Sequence, residues 1–188
     1  MARKTTSSRS PARHAAEASR RVWFVTFPGA ELLDLAGPWA VLAHTNDALE
    51  RPAYELVPVS VDGGTLTTRH ALDIGSTRPL AAVSRGPLPH TIVVAGGAAS
   101  AELPRAERAF AGWLARRRLE LPRIVSICTG AFVLQAAGLL DKRRATTHWE
   151  LLQKLAELSP ETEVIEDAIF VRDGDVWTSA GITAGIDL

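Results

Sequence analysis

Hydrophobic and polar residues follow one another along this chain in blocks of two kinds. Some blocks are short, continuous apolar runs rich in β-branched residues, which is typical of strands buried on both faces of a sheet. Others are longer and place their apolar residues at helical intervals. The pattern predicts strands at 21–27, 54–61, 91–97, 123–127 and, more briefly, 143–149, and helices at 38–47, 101–120, 130–140 and 149–158.

Turn residues set the predicted boundaries between these blocks. Gly37-Pro38 suggests that the first helix begins near Pro38, because proline is favoured in the first turn of a helix. Asp173-Gly174 lies between two apolar runs and predicts a β-hairpin over 169–181. Residues 65–75 are expected to form either a short hairpin or an excursion from the sheet. Strands that alternate with helices indicate an α/β fold, a three-layer sandwich with a mainly parallel sheet.

The chain has 188 residues, which suits one domain with a tail. We expect residues 1–20 to form a disordered basic tail and residues 21–188 to form the domain. Residues 179–188 contain a glycine-rich turn and then the beginning of a helical pattern. The final helix is therefore expected to be truncated, with the natural polypeptide continuing past Leu188.

Charge and cysteine content narrow the classes of function. Six of the 21 basic side chains but only one of the 21 acidic ones lie in residues 1–21, so the domain itself is mildly acidic and a DNA-binding face within it is not expected. No apolar run approaches the roughly 20 residues that span a bilayer. The single cysteine excludes an internal disulfide and agrees with a cytoplasmic location. The histidines lack metal-ligand spacing, so we predict neither a metal nor a cofactor.

That single cysteine, Cys128, directly follows a predicted strand and precedes a predicted helix. Ligands of open parallel sheets bind beyond the carboxyl ends of the strands, where this position lies. The positive end of the following helix would lower the pKa of the thiol and favour the reactive thiolate. We therefore predict a functional thiol. The alternative is a small buried side chain, which is the commonest role of a lone cysteine.

Other polar groups are predicted at the same edge of the sheet. Asp34 follows the first strand and could share a proton with the thiol, or could cap the following helix; the neighbouring Glu31 is expected to be a surface charge. Gly96 and Gly97 end the third strand. Their N–H groups, with that of Thr129, could hold an oxyanion, although a glycine pair also suits a plain turn.

His148 follows the short fifth strand and is predicted at this edge as well. Its imidazole could polarise a ligand or lie beside the thiol. A structural histidine that caps the following helix is the alternative.

Three motifs occur in order: "FPGAELLDLAGP" at 27–38, "SICTGAFVLQAAGLLDKRRATTHW" at 126–149 and "VWTSAGITAGIDL" at 176–188. Together they resemble the ThiJ/PfpI superfamily, a branch of the class I glutamine amidotransferase-like proteins, and the resemblance covers residues 21–188. It implies a flavodoxin-like fold. Two groups of the superfamily share these motifs, the isonitrile hydratases and the amino-terminal sensor domains of AraC-type (GlxA-like) transcription regulators.

The resemblance also implies roles for individual residues. Many members carry histidine directly after the cysteine, whereas this chain has Thr129, which argues against peptidase chemistry but not against isonitrile hydratases, which also carry Cys-Thr. Asp34 matches the acidic partner of the cysteine. The turn at 179–185 matches a glycine-rich loop at the rim of the pocket, where Thr183 is expected to contact a ligand.

Two functions follow from the resemblance. The chain is more similar to the regulator branch, which implies a domain that senses a small molecule and that reaches DNA only through a helix-turn-helix domain absent from these residues. The alternative is an enzyme that hydrates an isonitrile to an N-substituted formamide with Cys128 and Asp34. A redox role for an oxidisable Cys128 is the third possibility. Superfamily members are commonly dimers, so a homodimer is expected.

Overall fold

A central β-sheet organises the computed structural model, which describes residues 18–97 and 103–188. The strands are β1 (Arg20–Val25), β2 (Tyr54–Ser60), β3 (Gly64–Thr67), β4 (Asp73–Pro79), β5 (Thr91–Val94), β6 (Arg123–Ile127), β7 (Arg144–Ala145), β8 (Glu163–Val164), β9 (Phe170–Asp173) and β10 (Val176–Ser179). Eight of them form one sheet in the order β3-β4-β2-β1-β5-β6-β10-β9.

The inner strands of this sheet are parallel, as predicted. β1 pairs in parallel with β2 and β5, and β6 pairs in parallel with β5 and β10. The two predicted hairpins, β3–β4 and β9–β10, form antiparallel pairs at opposite edges. The carboxyl ends of β1, β5, β6 and β10 therefore meet along one edge of the sheet, which is where a ligand site is expected.

Helices lie on both faces of the sheet, which confirms the three-layer prediction. They are α1 (Leu32–Ala48), α2 (Leu80–Val83), α3 (Arg105–Arg117), α4 (Gly130–Ala136) and α5 (Leu152–Leu158), with 3₁₀ turns at Arg118–Glu120, Trp149–Leu151 and Ile182–Ile186, the last of which we name the terminal turn. None of these helices is long and apolar enough to cross a membrane.

Alternate side chains of each strand enter two separate cores, because successive residues of a strand point to opposite faces. On β1, Trp23 and Val25 join the larger core, to which α3 and α4 contribute Phe110 and Leu134. Phe24 belongs to the smaller core under α1, where its ring centroid lies 5.1 Å from that of Trp39.

The predicted start of the first helix near Pro38 is wrong. α1 begins at Leu32 and includes Pro38, although proline leaves the carbonyl four residues earlier without its helical partner. The burial of Leu35 in the smaller core stabilises the extra turn. This earlier start places Asp34 in the first turn of the helix rather than before it.

Three further elements differ from the pattern-based prediction. The fifth strand is not in the main sheet, because β7 pairs only with β8 in a separate two-stranded sheet. α4 ends at Ala136 instead of residue 140, since Gly138 has a left-handed backbone with φ 67. The terminal turn is a 3₁₀ helix where an α-helical pattern was expected.

Residues 1–17 of the predicted tail lie outside the described residues, and β1 begins at Arg20, one residue before the predicted boundary.

Glu107, in the first turn of α3, is a buried acid that the apolar pattern did not reveal. The residue is 7% exposed, and its burial raises the pKa of the carboxyl from 4.5 to about 7. Between these pH values the folded protein holds a proton that the unfolded chain releases. The free energy of unfolding therefore falls as the pH rises through this window.

We expect Glu107→Gln to stabilise the protein at pH 8 by on the order of 2 kcal/mol, because the amide removes the cost of burying a charge. At pH 4 the carboxyl is largely protonated in both states, so variant and wild type should be equally stable. Urea unfolding at the two pH values measures this difference. An equal gain at both values would contradict the electrostatic explanation, since only a packing effect is independent of pH.

Candidate functional site

Cys128 occupies a tight turn between the last residue of β6, Ile127, and the first residue of α4, Gly130. Its φ is 55, a left-handed conformation that costs a non-glycine residue about 1–2 kcal/mol. Hydrogen bonds to the Cys128 backbone offset this cost. The Cys128 N–H is shared between the carbonyls of Ser179 and Ala180, both at 3.2 Å, and the Thr147 hydroxyl donates to the Cys128 carbonyl at 2.8 Å.

The side chain of Cys128 lines a small cavity of about 110 Å³. The residue is only 6% exposed and also touches the smaller core, so the thiol lies at the boundary between packed interior and cavity. The backbone N–H groups of Thr129 and Ile182 donate to its sulfur. This arrangement combines the two alternatives considered for the cysteine, since the side chain is buried and also faces a cavity.

Asp34 lies beside the thiol but does not line the cavity. The residue is 0% exposed, and its Oδ2 accepts a hydrogen bond of 2.9 Å from the N–H of Gly96. Within the described residues, Oδ1 has no partner in hydrogen-bonding geometry, although the thiol is close enough to affect the titration of the carboxyl. The side chain therefore bonds to the end of another strand rather than capping its own helix.

Burial keeps the thiol uncharged at neutral pH and leaves the Asp34 carboxyl only partly ionised. It raises the pKa of Asp34 from 3.8 to about 7, an effect that the Gly96 hydrogen bond opposes and the charge of Glu31 reinforces. Burial, together with the neighbouring Asp34 carboxylate, raises the pKa of the Cys128 thiol from 9.0 to about 11. The sequence-based expectation of a lowered thiol pKa is wrong, because desolvation and the adjacent acid outweigh the two N–H groups that face the sulfur.

Gly96 and Gly97 lie beside the cysteine turn as predicted, but their N–H groups are already bonded. Gly96 donates to Asp34, and Gly97 donates to the Thr129 hydroxyl at 2.7 Å while its carbonyl accepts from that hydroxyl at 3.1 Å. The predicted oxyanion hole is therefore not open. A Cβ at Gly96 would lie 2.6 Å from the Thr129 Oγ1 and 2.7 Å from the Asp34 Oδ2, so only glycine fits there.

His148 lines the cavity and also caps a helical turn, so both of its predicted roles are compatible with the structure. Its Nδ1 accepts from the N–H of Glu150 at 3.4 Å at the start of the turn Trp149–Leu151. The ring packs against Gly181, where a Cβ would approach its Cδ2 to 2.5 Å. The imidazole reaches the cavity although β7 is not part of the main sheet.

Thr183 is not brought to the cavity. It is exposed on the terminal turn, and the neighbouring Ile182 lines the cavity in its place. Glycine-rich turns allow several side-chain directions. The sequence motif therefore located the turn at 179–185 correctly but indicated Thr183 instead of Ile182.

Glu31 and Arg69 are cavity residues that were not predicted, as are Glu150, Leu151 and Ile182. Glu31 was expected to be a surface charge, but its side chain is only 17% exposed and lines the cavity with Arg69. The turn between β3 and β4 carries Arg69 to this position, because the N–H of Arg69 donates to the carbonyl of Ala30 at 3.1 Å. No local pattern could have indicated this long-range contact.

His70, on the same turn, places its Nε2 3.7 Å from the Glu31 Oε2. No group of three or more His, Cys, Asp or Glu side chains in residues 18–97 and 103–188 is arranged to hold a metal ion.

Comparison with known proteins gives a consistent set of relatives. A model of the DJ-1/PfpI family matches residues 20–188. The chain is 34% identical over 171 residues to an isonitrile hydratase of Pseudomonas putida, covering 89% of this chain and 68% of that one. It is 32% identical over 169 residues to the HTH-type transcriptional regulator GlxA of Rhizobium meliloti, covering 90% and 51% respectively. The chain thus spans about half the length of this regulator.

Among solved structures, an AraC family transcriptional regulator from Pseudomonas putida has a TM-score of 0.76 at 24% identity, over 90% of this chain and 88% of that one. At this identity the likeness supports the fold alone.

The raised pKa makes a prediction about the reactivity of the thiol. We expect native Cys128 to react with a maleimide at pH 7.5 at least about 100-fold more slowly than a free thiol, since little thiolate is present. Asp34→Asn should accelerate the reaction severalfold because it removes the charge that raises the thiol pKa. Glu31→Gln is the matched control, and we expect it to have a smaller effect. Rapid labelling of the native wild type, or slower labelling of Asp34→Asn, would contradict this prediction.

Proposed function

The chain belongs to the DJ-1/PfpI family, and we propose that it is the small-molecule-sensing domain of an AraC-type transcription regulator. The observation that carries this proposal is the uncharged thiol of Cys128 beside a small, lined cavity, next to an Asp34 carboxyl whose pKa is raised to about 7. Cys128 forms part of the cavity wall, and Asp34 lies behind it. Such a pair suits the binding of a small ligand better than the generation of a strong nucleophile.

The thiol pKa and the hydrogen bonds of two glycines argue against efficient covalent catalysis. A thiol with a raised pKa is a weak nucleophile at neutral pH, because the thiolate is the reacting form. The N–H groups of Gly96 and Gly97 are used by Asp34 and Thr129, so they are not available to stabilise an anionic intermediate. The cysteine turn retains the strand-to-helix elbow of a nucleophile site, but its electrostatics support binding.

The cavity wall indicates what kind of ligand it would hold. Glu31 and Arg69 supply opposite charges at its rim, and Ile182 and Leu151 supply apolar surface. A volume of about 110 Å³ suits a small polar metabolite with a short apolar part.

The similarity to GlxA supports the regulator context. In this proposal a separate domain contacts DNA, the protein is cytoplasmic, and it acts as a homodimer. The ligand would act by binding one conformation of the elements around the cavity more tightly than another, which increases the population of that conformation.

An isonitrile hydratase-like activity is the second candidate. It is supported by the presence of both Asp34 and Cys128 and by the 34% identity to the enzyme from Pseudomonas putida. In this reaction the Cys128 sulfur would bond to the terminal isonitrile carbon as the thiol proton passes to the Asp34 carboxylate, which would then deliver that proton to the same carbon to give a thioimidate. Water would then add to that carbon, and the thiol would leave with release of the N-substituted formamide.

An isonitrile assay separates the two candidates. If the domain is a sensor, we expect no N-substituted formamide when purified protein at high concentration is incubated with an aliphatic isonitrile and the mixture is examined by mass spectrometry. Formation of the formamide by wild type, with loss of product in both Asp34→Asn and Cys128→Ala, would establish the enzyme instead.

Ligand binding at the cavity can be tested with two substitutions on the terminal turn. Ile182→Trp should fill the cavity, whereas Thr183→Trp places the same bulk on an exposed neighbour outside it. In a thermal shift screen of small polar metabolites, we expect compounds that stabilise wild type and Thr183→Trp but not Ile182→Trp. If every stabilising compound acted equally on all three proteins, this cavity would not be the binding site.

A further inference from the structure

A second cavity lies on the face of the sheet opposite α1. Its volume is about 210 Å³, and its wall includes Arg21 and Trp23 of β1, Val57 of β2, Arg78 of β4, and Ala82 and Val83 of α2. Its apolar residues belong to the larger core, whereas Leu188 packs against the smaller core on the other face. Among the residues that the structure describes, this cavity and the cavity beside Cys128, which we call the cysteine cavity, share no wall residue.

Two arginines give the second cavity an excess of positive charge. Arg21 is paired, since its Nε donates to the Glu55 Oε2 at 2.8 Å and its Nη1 donates to the Pro87 carbonyl at 3.3 Å. Arg78 is exposed and forms no ion pair within residues 18–97 and 103–188. Because the Glu55 carboxylate balances only one of the two guanidinium groups, one positive charge at this cavity is left without a partner.

The wall of the second cavity offers hydrogen-bond donors and apolar surface. A guanidinium group can donate hydrogen bonds but cannot accept them, and none of the described wall side chains carries an acceptor. Trp23 lies two residues from Arg21 on the same face of β1, and it supplies apolar ring surface. Val57 and Val83 extend this surface. A wall of this composition favours a ligand with an anionic acceptor and a short apolar body.

We propose that the second cavity binds a small aliphatic monocarboxylate, which pairs with Arg78 and places its chain against Val57 and Val83. The planar fork of a guanidinium group matches the two oxygens of a carboxylate, and one carboxylate balances the excess charge. A cavity of roughly 150 Å³ is large enough for benzene, so this one suits a molecule of similar or slightly larger size. Residues 1–17 carry four basic side chains and one acidic side chain, so their charge does not match this cavity.

Three probes of matched length test this proposal: pentanoate, 1-pentanol and 1-pentylammonium. Each is titrated into the ¹⁵N-labelled 188-residue chain at pH 7.5 and constant ionic strength, and affinity is measured from the NMR shifts of the Ala82 and Val83 N–H groups. We expect pentanoate to bind at least about tenfold more tightly than the other two, because hydrogen bonds between charged groups are the stronger ones. Equal affinities, or tighter binding of inorganic phosphate than of pentanoate, would overturn the proposal.

Charge substitutions identify the group that binds the carboxylate. Arg78→Gln should weaken pentanoate binding at least about tenfold, whereas Glu55→Gln should strengthen it severalfold because it frees Arg21. Arg85→Gln is the matched control, since it removes the same charge from an exposed residue outside the cavity wall, and it should leave the affinity unchanged. An unchanged affinity in Arg78→Gln, or an equal loss in Arg85→Gln, would contradict the assignment of Arg78.

A steric pair of substitutions locates the bound probe. Ala82→Trp should fill the second cavity and abolish pentanoate binding, while Ala81→Trp places the same bulk on an exposed neighbour outside its wall and should leave binding intact. Both positions are exposed on α2, so neither substitution disturbs the core. Retained binding in Ala82→Trp would overturn the proposal, because pentanoate would then bind elsewhere.

Discussion

The close approach of three segments at Gly96 is the constraint on which the site depends. The space that a side chain would occupy there is filled by the Asp34 carboxyl, the Thr129 hydroxyl and the Thr129 backbone nitrogen. A second contact of this kind lies one residue beyond Thr129, where a Cβ at Gly130 would collide with the carbonyl of Val94. Glycine at these positions allows α1, β5 and the cysteine turn to meet without a gap.

This close packing determines the electrostatics of the site. Water is excluded from Asp34, which raises the pKa of its carboxyl to about 7, and the thiol beside it is neutral at this pH. The N–H groups of Thr129 and Ile182 that face the sulfur would otherwise favour the thiolate. A turn that has the backbone of a nucleophile site therefore holds an uncharged thiol.

The terminal turn connects the cysteine cavity to α1. It supplies an N–H group to the Cys128 sulfur and a wall to the cavity at one end. At the other end Gly185 packs against Ile127, where a Cβ would lie 2.8 Å from its Cδ1, and a Cβ at Gly37 of α1 would lie 2.9 Å from Ile186. Because small residues allow these close contacts, the cavity wall and α1 are joined through one short, tightly packed element.

The amino-acid sequence by itself determined the fold class, the two hairpins and the position of Cys128 at the end of a buried strand, because these depend on local periodicity and turn chemistry. It also located Asp34, Gly96 and Gly97 at the correct edge, since the carboxyl ends of parallel strands converge. Only the tertiary structure decided that the thiol is uncharged and that the N–H groups of both glycines are already hydrogen-bonded. It alone also placed Glu31 and Arg69 in the wall of the cysteine cavity. Each of these depends on desolvation or on contacts between residues distant in the chain, which no local pattern encodes.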